Sequence, residues 1–323
     1  MIRNIDNCEY SEKHGVYGGV SSLKDGVVID GKNWLVKYPK NAKDLRRHEE
    51  MEYTNDAVSE FLGSHIYSEL NIPVHETMLV ERRGKIAVAC RDFEEESKKL
   101  IEIRTIKNAA NDELEEKLNQ SFSSTGSTHC VNLEEIMLHL KYNDILKNIQ
   151  GINERFWNMM VVDIFLNNND RNNGNWGILR EKGKQDTLAP VFDNGGAFNG
   201  KTPDSRLKRM LDNEQVLLGS IMGSNTTFSD AEGNIILARE MLQKDFTGLS
   251  EAVIKIVPKI HEKMDSIIDI IRNIPDEACS KIRKDFYCES IKIRYQKLLF
   301  PALERVRCSD LSDKMSLIDV KSD

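Results

Sequence analysis

Long hydrophobic runs are missing from this sequence. No apolar stretch approaches the ~20 residues that a membrane-spanning helix needs, so a transmembrane segment is not expected. The polar N-terminus, MIRNIDNCEYSEKHG, has no apolar stretch after its basic residue and does not resemble a conventional secretory signal. We expect a soluble, cytoplasmic protein, and export by a route that reads no such signal stays open.

Motifs of several other protein classes are also missing. The six cysteines are scattered and none forms C-x-x-C, which indicates reduced thiols and argues against zinc knuckles. The seven histidines show no H-E-x-x-H spacing, and no G-x-S-x-G supports a serine hydrolase. A net charge of −7 gives no general electrostatic reason to hold a nucleic-acid backbone, so no nucleic-acid partner is expected.

The N-terminal part of the chain is rich in predicted strands. The segment 27–39 (VVIDGKNWLVKYP) predicts a hairpin, because Asp30-Gly31 is a strong turn signal between two apolar runs. Apolar residues spaced by three and four predict a helix from about Asp44 to Leu70. Two more strands, HETMLVE and KIAVACRDF, would complete a small antiparallel sheet.

The rest of the chain is mainly helical in pattern. The predicted elements are a solvated helix over 94 to about 120, a loop over 121–128, helices Leu133–Ile149 and Phe156–Leu166, two short strands beginning at Trp176 and Leu188, and helices from about residue 205. We therefore predict an α+β fold of two lobes. A small antiparallel sheet lobe would span 1–93, and a large, mainly helical lobe would span 94–323.

The most informative stretch is FLNNNDRNNGNWGIL, residues 165–179, followed by APVFDNGGAF, residues 189–198. A predicted helix ends in a run of Asn and Asp, a strand starts at Trp176, and a second strand ends at Asp193 before two glycines. A hairpin brings its two ends together, so Asn175 and Asp193 are expected to be neighbours in space.

Two carboxylates and an amide in this stretch suit phosphoryl transfer, which depends on positioning and charge cancellation. We predict that Asp170 orients an attacking hydroxyl and accepts its proton. Asn175 and Asp193 are predicted to hold Mg²⁺ against the phosphates of ATP, because this hard cation prefers oxygen ligands. A loop that uses these residues only for turn geometry is the alternative. The position of D-x-x-x-x-N between a helix end and D-x-G favours the functional interpretation.

An ATP-dependent kinase also needs a lysine on a strand and a flexible loop before it. Lys37 ends the strand WLVK and is predicted to bind the nonterminal phosphates as part of the catalytic centre. The predicted loop, whose backbone N–H groups would cover the phosphates, consists of Gly18, Gly19, Val20, Ser21 and Ser22. No G-K-[ST] follows it, so it is not a Walker A loop.

Glu60 lies in the long predicted helix after Lys37 and is predicted to steady that lysine by an ion pair. The competing carboxylates are those of Glu49, Glu50, Glu52 and Glu69.

A hinge for adenine is predicted after the last strand of the small sheet. Its residues would be Arg91, Asp92 and Phe93, which would contact the base through their backbone.

Taken together, these motifs resemble those of the HipA-like serine/threonine kinases. The resemblance runs from about Val16 to beyond residue 270 and is carried by WLVKYP, the helix with Glu60, the segment ending in Asp92-Phe93, NNNDRNNGNWGIL and PVFDNGGAF. It implies a two-lobed kinase fold, ATP and Mg²⁺ as cofactors, and the site roles predicted above. The implied reaction is transfer of the γ-phosphate of ATP to serine or threonine of a protein of unknown identity, including the kinase itself.

The sequence departs from the resemblance in two respects. The toxin members of that family carry an additional N-terminal subdomain, where this chain has only about 15 residues before the predicted phosphate loop. A toxin–antitoxin role with a DNA-bound partner is therefore not expected. No histidine-arginine pair precedes Asp170, and no A-P-E segment follows Asp193. Regulation by an activation loop of the eukaryotic kind is not expected either.

Two alternative functions stay open. D-R-N-N-G-N-W also resembles the catalytic loop of type II phosphatidylinositol 4-kinases, and a lipid kinase should show a membrane-facing basic or aromatic patch. The best candidate patch is the short cluster Arg206, Lys208 and Arg209 in an acidic chain, so we rank protein kinase first. A nucleotide-binding interaction protein without catalysis is the other alternative. Degenerate kinases commonly lose the base or a metal ligand, and this chain retains both.

Overall fold

The structure of the protein is a computed structural model that describes residues 2–15, 24–44, 51–94, 97–124 and 130–319. The strands are β1 (Arg3–Asn4), β2 (Lys24–Ile29), β3 (Lys32–Lys37), β4 (Thr77–Arg82), β5 (Lys85–Arg91), β6 (Lys98–Glu102), β7 (Val131–Asn132), β8 (Gly177–Glu181), β9 (Thr187–Leu188), β10 (Asn225–Ser229) and β11 (Ile235–Leu237). The helices are α1 (Asp56–Glu69), α2 (Ile103–Leu118), α3 (Leu133–Tyr142), α4 (Ile152–Leu166), α5 (Asp204–Leu211), α6 (Glu214–Met222), α7 (Ala238–Met241), α8 (Thr247–Glu262), α9 (Met264–Arg272), α10 (Lys281–Arg294) and α11 (Phe300–Asp319). A π-helical stretch, Tyr295–Leu299, joins α10 to α11. The fold is therefore mixed α/β, with small sheets and many helices.

The N-terminal sheet has five strands in the order β1-β4-β5-β3-β2. β1 runs parallel to β4, and the other pairs are antiparallel. Two-residue turns close both hairpins, with φ of 51° and 74° at Asp30 and Gly31 and of 53° and 66° at Arg83 and Gly84. Two consecutive residues with positive φ are typical of the type I′ turn, which matches the twist of the flanking strands. The hairpin predicted around Asp30-Gly31 is confirmed.

The helix that carries Glu60 begins later than predicted, at Asp56 instead of about Asp44. The preceding backbone pairs with an upstream segment, because Ala42 N–H donates to Glu52 O at 2.9 Å and Thr54 N–H donates to Lys40 O at 2.8 Å. These bonds occupy groups that a longer helix would need, so tertiary pairing overrides the helical pattern.

Strands replace predicted helix in two places. β6 lies within the segment interpreted as a solvated helix and pairs antiparallel with β8, which follows about 75 residues later in the chain. The region beyond residue 205, predicted as almost wholly helical, contains the hairpin β10–β11. Its turn includes Gly233 with φ of 83°, and Asp230 N–H donates to Asn234 O at 3.0 Å. The predictions hold for α2 and for the helices after residue 204 but were wrong at these strands, because strand partners decide such elements and local composition does not.

α4 is the central helix of the C-terminal part. It is apolar on nearly all sides, as expected for a helix inside a large core. One hydrophobic cluster joins it to α1, α8 and α10 through residues such as Leu62, Phe165, Val257 and Ile291. α4 ends at Asn167, which has φ of 57° and caps the helix in the left-handed conformation. The Asn- and Asp-rich loop therefore begins at the end of a helix that is held in the core.

A backbone bridge connects the sheet part to the segment before Asp193. Val191 N–H donates to Pro73 O at 2.9 Å, and His75 N–H donates to Val191 O at 3.0 Å. This bridge places Asp193 beside the sheet and α1. Among the helices that the structure describes, none combines the length and the apolar character needed to cross a bilayer.

Candidate active site

Lys37 connects three elements through one ammonium group. The β3–β5 register pairs Leu35 with Cys90 and Lys37 with Val88, so these side chains share the face of the sheet that looks toward α1. Lys37 Nζ donates to Glu60 Oε2 on α1 at 3.1 Å and to Asp193 Oδ1 at 2.9 Å. The structure thus pairs Lys37 with Glu60 and not with Glu52 or Glu69.

The charges in this cluster stabilise one another. Burial opposes a charge on Lys37, yet the attraction of Asp193 and Glu60 raises the pKa of Lys37 well above its usual value. Burial likewise opposes a charge on Glu60, but Lys37 and then His75 hold the pKa of Glu60 well below its usual value. Lys37 also lowers the pKa of Asp193. All three groups are therefore ionised at neutral pH.

The second oxygen of Glu60 is held by two groups. His75 Nε2 lies 2.9 Å from Glu60 Oε1, and the backbone N–H of Asn194 donates to the same atom at 3.0 Å. Glu60 is only 1% exposed, so these contacts fix its position. Sequence reasoning missed His75, because nothing in the chain near it predicts a contact with a glutamate 15 residues earlier.

Asp170 lies in the loop after α4, where its neighbours hold it. Asn172 Nδ2 donates to Asp170 Oδ1 at 3.2 Å, and Asn175 Nδ2 donates to the backbone carbonyl of Asp170 at 2.5 Å. A carbonyl accepts only from a donor, so this contact identifies the nitrogen of the Asn175 amide. This contact therefore does not involve the amide oxygen of Asn175.

Arg171 holds the two halves of the site together, and sequence reasoning missed it. Its guanidinium donates to the carbonyls of Asn175 and Phe192 at 2.9 and 2.5 Å. It also donates to Asn194 Oδ1 at 2.5 Å and forms a two-point pair with Asp163, with Nε–Oδ2 at 2.9 Å. Burial opposes this charge, but Asp163 raises the pKa of Arg171 above its usual value. One buried cation thus fixes the backbone beside both predicted metal ligands.

Of the two glycines after Asp193, Gly196 allows close packing around Asp170. A Cβ at Gly196 would lie 2.7 Å from Asn168 Oδ1 and 2.7 Å from Asp170 Cβ, too close for any side chain. A Cβ at Gly195 would lie 3.4 Å from Glu60 Oε2, an ordinary contact. The second glycine is therefore a steric requirement for the position of Asp170.

The site opens into a cleft made of two adjoining cavities that share Lys24, Lys37 and Asp193. The smaller, of about 150 Å³, also reaches Asp170 and both glycines. The larger, of about 510 Å³, reaches Asn175 and has an apolar wall formed by Leu35, Cys90, Phe93, Leu100 and Phe192. An apolar cavity that leads to a charged end matches the two ends of a nucleotide.

The predicted hinge residues lie on the rim of the larger cavity. Arg91 N–H donates to Glu76 O at 2.8 Å, and Asp92 N–H donates to Asn33 O at 3.0 Å. Both backbone amides are therefore already hydrogen-bonded within the protein. Phe93 follows and lines the larger cavity. The predicted phosphate loop lies outside the described residues, namely Gly18, Gly19, Val20, Ser21 and Ser22.

Comparison with known proteins supports the interpretation of the cleft as a nucleotide site of the kinase type. No protein-family model matches the chain. The serine/threonine-protein kinase CtkA of Helicobacter pylori strain J99 is 29% identical over 295 residues, which cover 90% of this chain and 85% of that protein. The chain resembles CtkA. The crystal structure of CtkA, described as a proinflammatory kinase of H. pylori, superposes with a TM-score of 0.83 and 27% identity over 96% of this chain and 100% of the other.

A more distant likeness concerns the fold alone. The HipA, HipB and operator DNA complex of Shewanella oneidensis MR-1 matches with a TM-score of 0.50 and 9% identity, over 89% of this chain and 67% of that one. The resemblance to HipA-like kinases, predicted from the motifs, is confirmed, and CtkA is much nearer than the toxin–antitoxin protein.

Proposed function

We propose that this protein is an ATP- and Mg²⁺-dependent protein serine/threonine kinase. The observation that carries the proposal is the convergence of Lys37, Glu60, Asp170 and Asp193 on one cleft. The likeness to CtkA, a named serine/threonine kinase, supports it independently. In this proposal residues 1–93 and 94–323 are two lobes that share the cleft and close on the nucleotide.

Lys37 would bind the nonterminal phosphates of ATP. Its present contact with Asp193, at 2.9 Å, can be exchanged for a phosphate oxygen, while the Glu60 contact at 3.1 Å keeps the ammonium in place. The buried Glu60 is fixed by His75 and by the Asn194 amide, so it orients Lys37 without itself reaching the substrate. Orientation of a cation before substrate arrives lowers the reorganisation needed for catalysis.

The residues at the cleft fit a magnesium ion. Asp193 offers a carboxylate and Asn175 an amide oxygen, both hard ligands, and Arg171 fixes the backbone next to each. Bound Mg²⁺ would supply charge neutralisation at the phosphates. Asp193 has φ of 58°, an uncommon conformation for a residue other than glycine, which is typical of functional positions.

Asp170 would act as the base. The acceptor hydroxyl gives its proton to the Asp170 carboxylate, and its oxygen bonds to the γ-phosphorus as the bond to the β–γ bridging oxygen breaks. ADP leaves with that electron pair. Asn172 holds Asp170 Oδ1 at 3.2 Å, which leaves the other carboxylate oxygen for the hydroxyl. Self-phosphorylation belongs to the same proposal, since the reaction needs only an accessible hydroxyl.

The loop of residues 18–22 and the Arg91–Phe93 hinge complete the proposal. Lys24, two residues after the predicted loop, lines both cavities, which favours a loop that covers the phosphates of a nucleotide in this cleft. At the other end, Phe93 and Phe192 lie with ring centroids 5.7 Å apart and form part of the apolar wall for adenine.

The acceptor can be tested by transfer of labelled γ-phosphate with three substrates in parallel: the protein itself, a generic protein, and phosphatidylinositol vesicles. We expect label on serine or threonine of protein and none on lipid. The basic patch proposed for a lipid surface lies on α5. One of its three cations, Lys208, is already paired with Asp212 at 2.9 Å, which weakens the case for a lipid substrate. Label on lipid alone would replace the proposal with a lipid kinase. Bound ATP without transfer to any acceptor would favour a binding protein.

A further inference from the structure

Three buried side chains of different chemistry meet behind Lys37. One ligand atom each from Glu60, His75 and Cys90 lies within 4.8 Å of the other two. The residues are 1%, 5% and 3% exposed, and they come from α1, the segment before β4, and β5. No other group of three such ligands is this close in the ranges that the structure describes. In the proposed kinase mechanism Glu60 orients Lys37 and His75 holds Glu60, but no step uses the thiol of Cys90.

Carboxylate, imidazole and thiolate are the ligands that Zn²⁺ prefers. Zinc bond lengths of about 2.0–2.3 Å place neighbouring tetrahedral ligands roughly 3.3–3.8 Å apart. Glu60 Oε1 and His75 Nε2 are already 2.9 Å apart, and no pair exceeds 4.8 Å. Movements of about 1 Å, within the reach of side-chain torsions, would therefore bring all three atoms onto one ion.

The group is reached through the cleft. His75 and Cys90 line the larger cavity together with Lys37 and Asp193. Cys90 pairs with Leu35 on the adjacent strand, and Lys37 lies two residues after Leu35. Residues two apart share a face of a sheet, so Cys90 and Lys37 lie on the same face. A metal ion held here would have three protein ligands and a fourth position directed at the cleft, the arrangement of zinc sites that keep an exchangeable ligand.

The local charge favours a divalent cation. Before metal binding, Lys37, Glu60 and Asp193 together carry a net charge of −1, and Cys90 is a thiol. Coordination replaces the proton of Cys90, which leaves to solvent, with a bond from the thiolate to the metal. The ion adds two positive charges and the thiolate one negative charge, so the cluster becomes neutral. The negative charges of Glu60, Asp193 and the thiolate thereby offset the repulsion between Lys37 and the metal ion.

From this geometry we infer that Glu60, His75 and Cys90 form an inhibitory site for Zn²⁺. The metal shares Glu60 with Lys37 and occupies the wall of the nucleotide cleft, so it competes with Mg–ATP. Metal binding itself does not depend on the proposed kinase activity. Only the inhibition rests on that function, and the two are measured separately.

Metal binding is tested by titrating Zn²⁺ in competition with a chromophoric chelator, and by the thiolate-to-metal absorption of the Co²⁺ form. All proteins carry Cys130→Ser and Cys308→Ser, which remove the exposed thiols. We expect one Zn²⁺ per chain. Cys90→Ser should abolish the absorption band and weaken binding at least ~100-fold, since even indirect partners of zinc ligands are worth about 10–100-fold. Cys279→Ser, which removes a buried thiol elsewhere, should change neither.

Two results would overturn the site: a parent protein, with only Cys130→Ser and Cys308→Ser, that binds Zn²⁺ no tighter than the Cys90→Ser variant, or a thiolate band that persists in that variant. The inhibitory role is tested by repeating the Zn²⁺ titration with a nonhydrolysable Mg–ATP analogue, which needs no turnover. We expect the analogue to weaken Zn²⁺ binding in proportion to its concentration. Zn²⁺ affinity that is unchanged by a bound analogue would remove the inhibitory role and leave a metal site only.

Discussion

At the scale of single residues, Arg171 has the largest structural role in the site. It is 3% exposed, pairs with the buried Asp163, and holds the carbonyls of Asn175 and Phe192. A buried pair adds little net stability, because desolvation cancels much of the attraction, but removal of one partner leaves an uncompensated charge. The pair therefore sets the geometry of the site more than the stability of the fold.

Arg171→Met should lower the free energy of unfolding by about 3–5 kcal/mol, the usual cost of breaking a buried ion pair. Asp163→Asn added to it should restore part of that loss, because the orphaned charge is gone. Urea denaturation of both variants gives the two values. Arg180→Met is the matched control, since its pair with Asp186 is exposed and should cost no more than about 1 kcal/mol. Equal losses for Arg171→Met and Arg180→Met would contradict the argument.

Local motifs predicted one site formed by Asp170, Asn175 and Asp193, with the last two as neighbours, and the structure brings their loop and hairpin together at one cleft. Their catalytic and metal-binding roles stay predictions. Arg171 and His75 were missed because their partners are distant in sequence or are backbone carbonyls, which no spacing encodes. One signal was available for Arg171: Asp163 is an acidic residue inside the otherwise apolar stretch 159–166 of α4, and a buried charge requires a partner.

At the scale of elements, α1 packs directly on the loop after Asp193. A Cβ at Gly63 would lie 2.6 Å from Asn194 Cβ, closer than side chains tolerate. The same helix carries Glu60, so its distance from this loop sets the geometry of the Lys37 pair. Glycine at position 63 is therefore a packing requirement inside a helix, where it would otherwise be unfavourable.

Gly63→Ala should destabilise the protein by about 1–3 kcal/mol, because overpacking outweighs the better helix propensity of alanine. Gly219→Ala, on α6 with no atom within 4 Å of the added Cβ, should instead stabilise it by about 0.5–1 kcal/mol. Thermal or urea unfolding of the two variants decides the matter. Stabilisation by both substitutions would show that α1 is not held tightly against the loop.

The elements that were predicted correctly have strong local signals. The Asp30-Gly31 hairpin has a turn that fixes its register, and α4 has a long apolar pattern. The predicted start of α1, at about Asp44, was wrong because the backbone before Asp56 pairs with the segment around Ala42. β6 was missed because its partner β8 lies far along the chain, and pairing at that distance is not encoded in local composition.

At the scale of the whole molecule, the site depends on contacts between the sheet part and the helical part. Lys37 joins the sheet to Asp193, and the bridge between Val74 and Val191 fixes the backbone nearby. The likeness to CtkA covers 96% of this chain, so it includes both parts. We expect nucleotide binding to stabilise the molecule as a unit, because a ligand that binds only the folded state raises its stability.

Asp193→Asn should remove the magnesium dependence of that stabilisation. Wild-type protein should gain more Tm from ATP with Mg²⁺ than from ATP with a chelator, because in the proposed function the carboxylate binds the ion that accompanies the phosphates. The variant should show the same small gain in both conditions. Calorimetric or thermal-shift measurements suffice, with Asp144→Asn as an exposed control. A magnesium effect that survives in Asp193→Asn would mean that the ligand is misplaced.

The central claim is that Asp170 is the base of a phosphoryl-transfer site, and the most direct measurement is the rate of γ-phosphate transfer by Asp170→Ala in parallel with its affinity for Mg–ATP. The account predicts a folded protein that binds Mg–ATP with little change in Kd and transfers phosphate at least about 100-fold more slowly, the scale expected for loss of a positioned base. A rate within severalfold of the wild type would contradict the assignment of Asp170.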